Sequence, residues 1–225
     1  MPKLRDVKAS VWLAGAAALL YNSWPLGYLL NPAVGHHQLA SQLEAAHQPY
    51  RWLFVILDMA VGALLVACGY KQLQSRKSWL SVVAVLGYVA FGLMVAGAAA
   101  MPLDCDPAAG ACGPIWRDSE IIIHGSFSIG SVSLLLLGSL AAIKLAYQEQ
   151  IQRWLRAVIG LILGGWAVFG SGALISLSLH IRNNFLQDFF ISVCSLSIIF
   201  AVAAVEYLQP QDEQMPVTLK RVVPG

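Results

Sequence analysis

Two ionisable residues lie inside long apolar stretches of this chain, Asp58 in WLFVILDMAVG and His124 in EIIIHGSFSIG. Ionisable groups at membrane depth are rare and usually face a protein interior or a wet cavity, which makes them candidate functional residues. Ser128 and Ser131 follow His124 at i+4 and i+7, so they share its helix face. A carboxylate that orients an imidazole, which in turn activates a hydroxyl, is typical of nucleophilic hydrolases and transferases. Asp58, His124 and Ser128 are therefore the candidate catalytic residues.

The same side chains are also candidate metal ligands. Imidazole nitrogens and carboxylate oxygens bind zinc, and His124, Asp58 and His180 form the candidate set, with His36 and His37 as further candidates. A zinc ion at such a site would polarise a lipid ester or activate a water molecule. No His-x-x-x-His or His-Glu-x-x-His motif fixes the ligand spacing. Zinc is therefore indicated by residue type alone.

Two further interpretations need no chemistry. Asp58 and His124 can pair with each other or with Asn22 and hold helices together through buried polar contacts. Alternatively, they line a cavity that binds a ligand without transforming it. Serines in membrane helices commonly hydrogen-bond to their own backbone, which fits both interpretations.

The elements that position these residues follow from composition. Of 225 residues, 58% are hydrophobic and 12% charged, and the mean hydropathy is +0.66. Soluble domains carry roughly 25% charged residues, so this chain is predicted to be an integral membrane protein. Its net charge of +2, without a basic run, gives no reason to expect a nucleic-acid partner. The chain is predicted to be all-α and polytopic, with six transmembrane helices of about 20 residues each. The apolar segments are residues 9–30, 52–70, 79–101, 121–147, 154–179 and 189–208.

Lysine and arginine set the predicted orientation. If the N-terminus is inside, all 14 of these residues except Arg51, Arg117 and Arg182 fall in cytoplasmic segments. We therefore expect a multi-pass protein of the cell membrane with both termini in the cytoplasm. Residues 1–210 are predicted to form one membrane domain, and residues 211–225 a disordered cytoplasmic tail.

This orientation places four polar residues in the outer half of the bilayer. They are Asn22, Asp58, His124 and His180, each on a different predicted helix or at its outer end. Pro25 is expected to kink the first helix close to Asn22. The shared depth of these residues predicts a common site, although depth carries no information on how each helix is rotated.

Two cysteines lie in the predicted outside loop LDCDPAAGACG. Cys105 and Cys112 would close a small loop there, where a disulfide can persist, so a disulfide is expected. A zinc-type site is the weaker interpretation, because no further cysteine lies nearby to complete the set.

Glycines are expected to let helices approach closely. Gly87, Gly92 and Gly97 space the third helix, and Gly160 and Gly164 form a small-xxx-small pair on the fifth. Small-residue faces of this kind also make a homo-oligomer one expected assembly.

Some polar and aromatic residues have simpler interpretations. Glu206, near the inner end of the last helix, is expected to extend to the cytoplasmic interface. Trp24, Trp52 and Trp79 lie near helix ends, where an interfacial aromatic belt would place them.

Two stretches resemble a known family. They are SQLEAAHQPYRWLFVILDMAVGALLVACG and MPLDCDPAAGACGPIWRDSEIIIHGSFSIGSV, about the middle third of the chain. Both resemble the bacterial family called domain of unknown function 998. That pattern has Ser-x-Leu-Glu, Pro-Tyr before an Asp-containing helix, a Pro-Leu-Asp-Cys loop, a second Cys, and a His that opens helix four. The matching residues are Ser41, Leu43, Glu44, Pro49, Tyr50, Asp58, Pro102, Leu103, Asp104, Cys105, Cys112, His124 and one of Ser126 or Ser128.

The resemblance also suggests a setting for function. The family is similar in architecture to the Frag/DRAM/Sfk group of six-helix membrane proteins, some of which are linked to lipid remodelling or distribution. Membrane lipids are thus the implied partners, and Glu44 and Asp104 join Asn22 as expected substrate contacts. The leading expectation is a protein that binds or processes a lipid or amphipathic molecule in an outer-leaflet cavity, with hydrolase or transferase chemistry if it is an enzyme. The competing expectation is a non-catalytic sensor or assembly partner in which Asp58 and His124 are structural.

Overall fold

A computed structural model describes residues 8–31, 43–45, 48–74, 78–101, 119–148, 153–179 and 184–208. Within these ranges the protein is built from α-helices. In chain order they are α1 (Ala9–Tyr21), α2 (Trp24–Leu30), α3 (Arg51–Leu73), α4 (Trp79–Ala100), α5 (Ser119–Gln148), α6 (Arg153–Leu179) and α7 (Asn184–Tyr207). Among the described residues, five helices, α3 to α7, are long and apolar enough to cross a membrane. The predicted all-α, multi-span membrane architecture is therefore confirmed.

The first apolar segment is interrupted, which is why it is not among these five helices. α1 has 13 residues and α2 has 7, and the chain breaks between them at Asn22 and Ser23. Pro25 explains the break, because proline lacks an N–H and its ring would clash with the carbonyl of Tyr21 four residues earlier. The backbone N–H of Ser23 bonds to the carbonyl of Leu20 at 3.1 Å and closes α1. The expected kink is thus a full break.

Helices α3, α4 and α5 approach one another closely at glycines. A Cβ atom on Gly87 of α4 would lie 2.5 Å from the Cα of Gly138 on α5, and one on Gly62 of α3 would lie 2.8 Å from the carbonyl oxygen of Gly92 on α4. Such distances leave no room for a side chain, so the expected close approach is confirmed at Gly87 and Gly92. In contrast, Gly164 on α6 has no atom of the described residues within 4 Å of its Cβ position.

The end of the bundle formed by the start of α1 and the ends of α3 and α7 holds a polar network. Glu206 accepts hydrogen bonds from Ser10 Oγ at 2.7 Å and Gln72 Nε2 at 2.8 Å, and its other oxygen lies 3.1 Å from Lys8 Nζ. Tyr88 of α4 donates to Gln72 Oε1 at 2.8 Å. The Glu206 side chain is only 9% exposed, so the expectation that it extends to the interface is wrong. Its hydrogen bonds direct the side chain into the bundle, where the network connects α1, α3, α4 and α7.

Candidate functional site

The opposite end of the bundle contains a cavity of about 120 Å³. Its wall is formed by the α1–α2 break, residues 43–44, the start of α3, the end of α4, and the N-terminal parts of α5 and α7. Glu44, Asp58, His124 and Ser128 all line it. The cavity therefore brings together side chains that the sequence placed at similar depth, together with one, Glu44, that only the family pattern singled out.

Glu44 is held at the cavity by its neighbour in the chain. Leu43 is 2% exposed and packs against Phe54 of α3. It fills the space above Gly27, where a Cβ atom would overlap the Leu43 side chain. Because Leu43 is fixed between α2 and α3, the adjacent Glu44 is held in the cavity wall, where it is only 6% exposed.

The Glu44 and Asp58 side chains form a hydrogen-bonded carboxyl pair. Burial, together with the neighbouring charge of Asp58, raises the pKa of Glu44 well above its ordinary value. Glu44 therefore carries the proton and donates it to the Asp58 carboxylate. Two carboxyl groups that share one proton are typical of sites where like charges are too close for both to ionise.

His124 is oriented by the backbone of α4. Its Nδ1 atom lies 3.2 Å from the carbonyl oxygen of Met101, and the side chain is 7% exposed. A carbonyl oxygen only accepts, so Nδ1 must carry the hydrogen. In the neutral ring, Nε2 is then the hydrogen-bond acceptor. Asp58 bonds to Glu44 and the imidazole bonds to Met101, so the two residues share a cavity but have different partners.

The serines of α5 direct their hydrogens to the backbone. Ser128 donates to the carbonyl oxygen of His124 at 3.1 Å, and Ser131 donates to that of Ser128 at 2.7 Å. The hydroxyl of Ser128 is thus bonded to the backbone of His124 and not to its ring. This arrangement lacks the hydroxyl–imidazole hydrogen bond on which an Asp58–His124–Ser128 relay depends.

Asn22 has a different environment from the one expected. Its Nδ2 bonds to Ser195 Oγ and, at 2.9 Å, to the carbonyl oxygen of Ala18, and its Oδ1 accepts from Ser192 at 3.2 Å. These bonds fasten the α1–α2 break to α7. The sequence-based expectation placed Asn22 on the cavity wall. Its amide instead bonds to α1 and α7 beside the cavity and stabilises the wall.

Two of the candidate metal ligands, Asp58 and His124, line the same cavity. No group of three or more His, Cys, Asp or Glu side chains in that part of the chain is arranged to hold a metal ion. Cys68 and Cys194 are buried free thiols inside helices. Several candidate site residues named from the sequence lie outside the described ranges; they are His36, His37, Asp104, Cys105, Cys112 and His180.

Sequence reasoning missed the aromatic part of the wall. Tyr21, Trp24, Phe54 and Phe190 all line the cavity. Trp24 was assigned to an interfacial belt, yet its Nε1 atom is buried and has no hydrogen-bond partner among the described residues. The only signal in the sequence was the position of these residues near the same ends of their helices as Asp58 and His124.

Comparison with known proteins places the chain in a family. The model of the family described as "Protein of unknown function (DUF998)" matches residues 13–206, which include every helix from the middle of α1 to the end of α7. No curated protein and no solved structure matches the chain. Because the family model covers most of the sequence, the chain belongs to the DUF998 family.

Proposed function

We propose that this membrane protein binds the polar head of a lipid or another amphipathic molecule in the cavity between α1–α2, α3, α4, α5 and α7. One observation carries the proposal: a carboxyl pair and an imidazole line the same cavity as apolar and aromatic side chains. A volume of about 120 Å³ is smaller than the roughly 300–1,000 Å³ of pockets that enclose whole drug-sized ligands. The cavity is therefore suited to a small group or to the head of a larger molecule.

The topology we propose places this cavity in the outer leaflet. Residues 9–30 are close in number to the ~20 residues that a crossing needs, so in this topology α1 and α2 together supply a sixth crossing. The distribution of lysine and arginine favours cytoplasmic termini. Under this topology residues 1–210 are a single domain of the cell membrane and residues 211–225 a cytoplasmic tail.

Binding is favoured over catalysis by the hydrogen bonds of the site. In a hydrolase or transferase His124 would act as base or metal ligand and Asp58 would orient it. Ser128 instead donates to the backbone, and Asp58 bonds to Glu44. If their role were purely structural, as in a sensor or an assembly partner, we would expect Asp58 and His124 to pair with each other or with Asn22. Asp58 and His124 bond elsewhere and face a cavity, which favours a ligand.

Retained lipid tests the proposal. Native mass spectrometry of protein released from a maltoside detergent is compared for the wild type, Ala98→Phe and Leu93→Phe. Ala98 lines the cavity, whereas Leu93 lies on the exposed face of the same helix. We expect the wild type and Leu93→Phe to retain an amphipathic molecule and Ala98→Phe to lose it while still melting cooperatively. Equal retention by all three proteins, or a bare wild-type chain, would contradict the proposal.

A further inference from the structure

Several polar atoms of the cavity wall are hydrogen-bond acceptors. Ser128 and Ser131 have given their hydrogens to backbone carbonyls, so their oxygens present lone pairs. Nδ1 of His124 is already bonded to the carbonyl oxygen of Met101, which leaves Nε2 as the ring nitrogen available to a ligand. The carboxyl pair of Glu44 and Asp58 adds four oxygen atoms to the wall. A wall of this kind is complementary to a ligand that brings hydrogen-bond donors or positive charge.

The acidic residues of the described cavity wall are Glu44 and Asp58. Tyr21 of α1, Glu44, Asp58 of α3 and His124 of α5 are the ionisable residues of the described wall, and no lysine or arginine is among its residues. The described portions of α2, α4 and α7 contribute only non-ionisable side chains to the wall. An anionic head would meet a carboxylate without a compensating cation, whereas a cation would be stabilised by it.

The apolar part of the wall has the chemistry of a cation-binding cage. Four of the lining residues are aromatic, and aromatic faces attract cations through the ring quadrupole. They are Tyr21, Trp24, Phe54 and Phe190. Aromatic side chains combined with carboxylates are the usual recognition elements for quaternary and primary ammonium groups.

We propose that the group bound in this cavity is an ammonium head, held by the Glu44–Asp58 pair and enclosed by the aromatic side chains. This inference rests on the proposed function and names the class of ligand for the same site. Trp24 adds a second feature, since its buried Nε1 donor has no hydrogen-bond partner in the part of the chain that the structure describes. An oxygen next to the ammonium group, as in ethanolamine and choline heads, would accept that hydrogen bond.

The ammonium group competes with the proton that Glu44 donates to Asp58. A cation beside the pair stabilises the doubly ionised form, so binding releases this proton to the solvent. Because burial raises the pKa of Glu44, the wild type holds the proton well above the pH at which an ordinary glutamate loses it. Affinity for an ammonium ligand should consequently rise with pH and should depend less on pH in Glu44→Gln.

A comparison of isosteric ligands tests the charge requirement on the unaltered protein. Thermal unfolding in maltoside is followed with choline chloride, with sodium chloride at equal ionic strength, and with 3,3-dimethylbutan-1-ol, which has the shape of choline without its charge. We expect choline alone to raise the melting temperature. Equal protection by the uncharged alcohol, or none by choline, would overturn the inference.

Variants locate the effect. Asp58→Asn should weaken choline binding about tenfold to a hundredfold, as expected for loss of a charge-assisted contact of ~1.5–3 kcal/mol. The matched control is Glu120→Gln. It removes an exposed carboxylate from the start of α5, at the end of the bundle that holds the cavity, and should bind choline like the wild type. Equal weakening in both variants would assign the effect to general surface charge and overturn the inference.

Lipid competition separates a lipid head from a free amine. The protein is reconstituted in nanodiscs with equal parts phosphatidylcholine, phosphatidylethanolamine, phosphatidylglycerol and diacylglycerol, and the retained lipid is identified by native mass spectrometry. Enrichment of phosphatidylcholine and phosphatidylethanolamine, the two lipids with ammonium heads, would support both proposals. Choline protection without retained lipid would sustain the ammonium assignment and contradict the proposed function. Lipid retained without preference for amines would overturn the ammonium assignment alone.

Discussion

Replacement of Glu44 by glutamine should change how the stability of the protein depends on pH. Glutamine keeps the shape of the side chain and can still donate a hydrogen bond to Asp58, but it cannot titrate. In the wild type, burial and the charge of Asp58 raise the pKa of Glu44, so the folded state binds a proton that the unfolded state has already released. The contribution of Glu44 to the free energy of unfolding is therefore largest at low pH and is lost as pH rises towards the raised pKa.

The magnitude follows from linkage. One proton bound in excess by the folded state lowers the free energy of unfolding by about 1.4 kcal/mol for each unit of pH. Glu44 is only 6% exposed, so little of this effect is screened by solvent. At roughly 2–4 °C for each kcal/mol in a chain of this size, the melting temperature of the wild type should fall by about 3–5 °C per unit of pH relative to Glu44→Gln.

The assay is thermal unfolding in maltoside, followed by tryptophan fluorescence at several pH values from 5 upwards. Groups that do not interact with the pair contribute equally to both proteins, so the difference between the two slopes reports on the Glu44–Asp58 pair. The control variant Glu120→Gln should keep the wild-type slope. Parallel curves for the wild type and Glu44→Gln, or a wild-type melting temperature that rises relative to the variant, would refute the assignment of the shared proton.

Two further substitutions test the packing and the polar network. Gly87→Val should cost about 1–3 kcal/mol, because its Cβ would lie 2.5 Å from the Cα of Gly138, whereas Gly164→Ala should leave the melting temperature nearly unchanged. A similar melting temperature for both variants would contradict the close helix crossing. Gln72→Leu should cost about 1–3 kcal/mol, since it removes the acceptor of Tyr88 and one of the donors to the Glu206 carboxylate. A wild-type melting curve for this variant would show that the network adds nothing to stability.

The long helices were predictable because a membrane requires long apolar runs. The predicted segment 154–179 differs from α6 by a single residue at its start. The position of the break in the first segment was predictable, because Pro25 removes a backbone donor. How completely the helix would be interrupted was not predictable. Whether the chain continues as a kinked helix or stops depends on tertiary bonds such as that from Asn22 to Ser195, which no local pattern reveals.

The depth of the candidate site residues in the bundle was predictable from the sequence, but the direction in which each side chain points was not. The positions of Asp58 and His124 along their helices indicated one level of the bundle, and both line the cavity. Asn22 lies at the same level but is rotated towards α7. Glu44 could be identified only through the family pattern, because Leu43 positions it by a long-range contact with Phe54. Helical periodicity does not encode which neighbour each face will meet.

The polar network at the other end was missed for a related reason. Glu206 lies close to a helix end, where a charged side chain usually extends to the interface. Its direction is reversed by Gln72 and Ser10, which come from α3 and α1 and offer it two hydrogen bonds. A fully bonded carboxylate inside the bundle end requires partners from several helices at once, and a single sequence gives no information on that combination.

Headgroup photo-crosslinking in nanodiscs tests the central claim most directly. A phosphatidylethanolamine analogue with a diazirine on its head is activated, and the modified residues are mapped by peptide mass spectrometry. If the head enters the cavity, the label should appear on Phe54, Asp58 and Ser128, which line it. Label confined to Ile56 and Ile129, which lie on the same helices but are 62% and 71% exposed, would show that lipid only surrounds the bundle and would contradict the account.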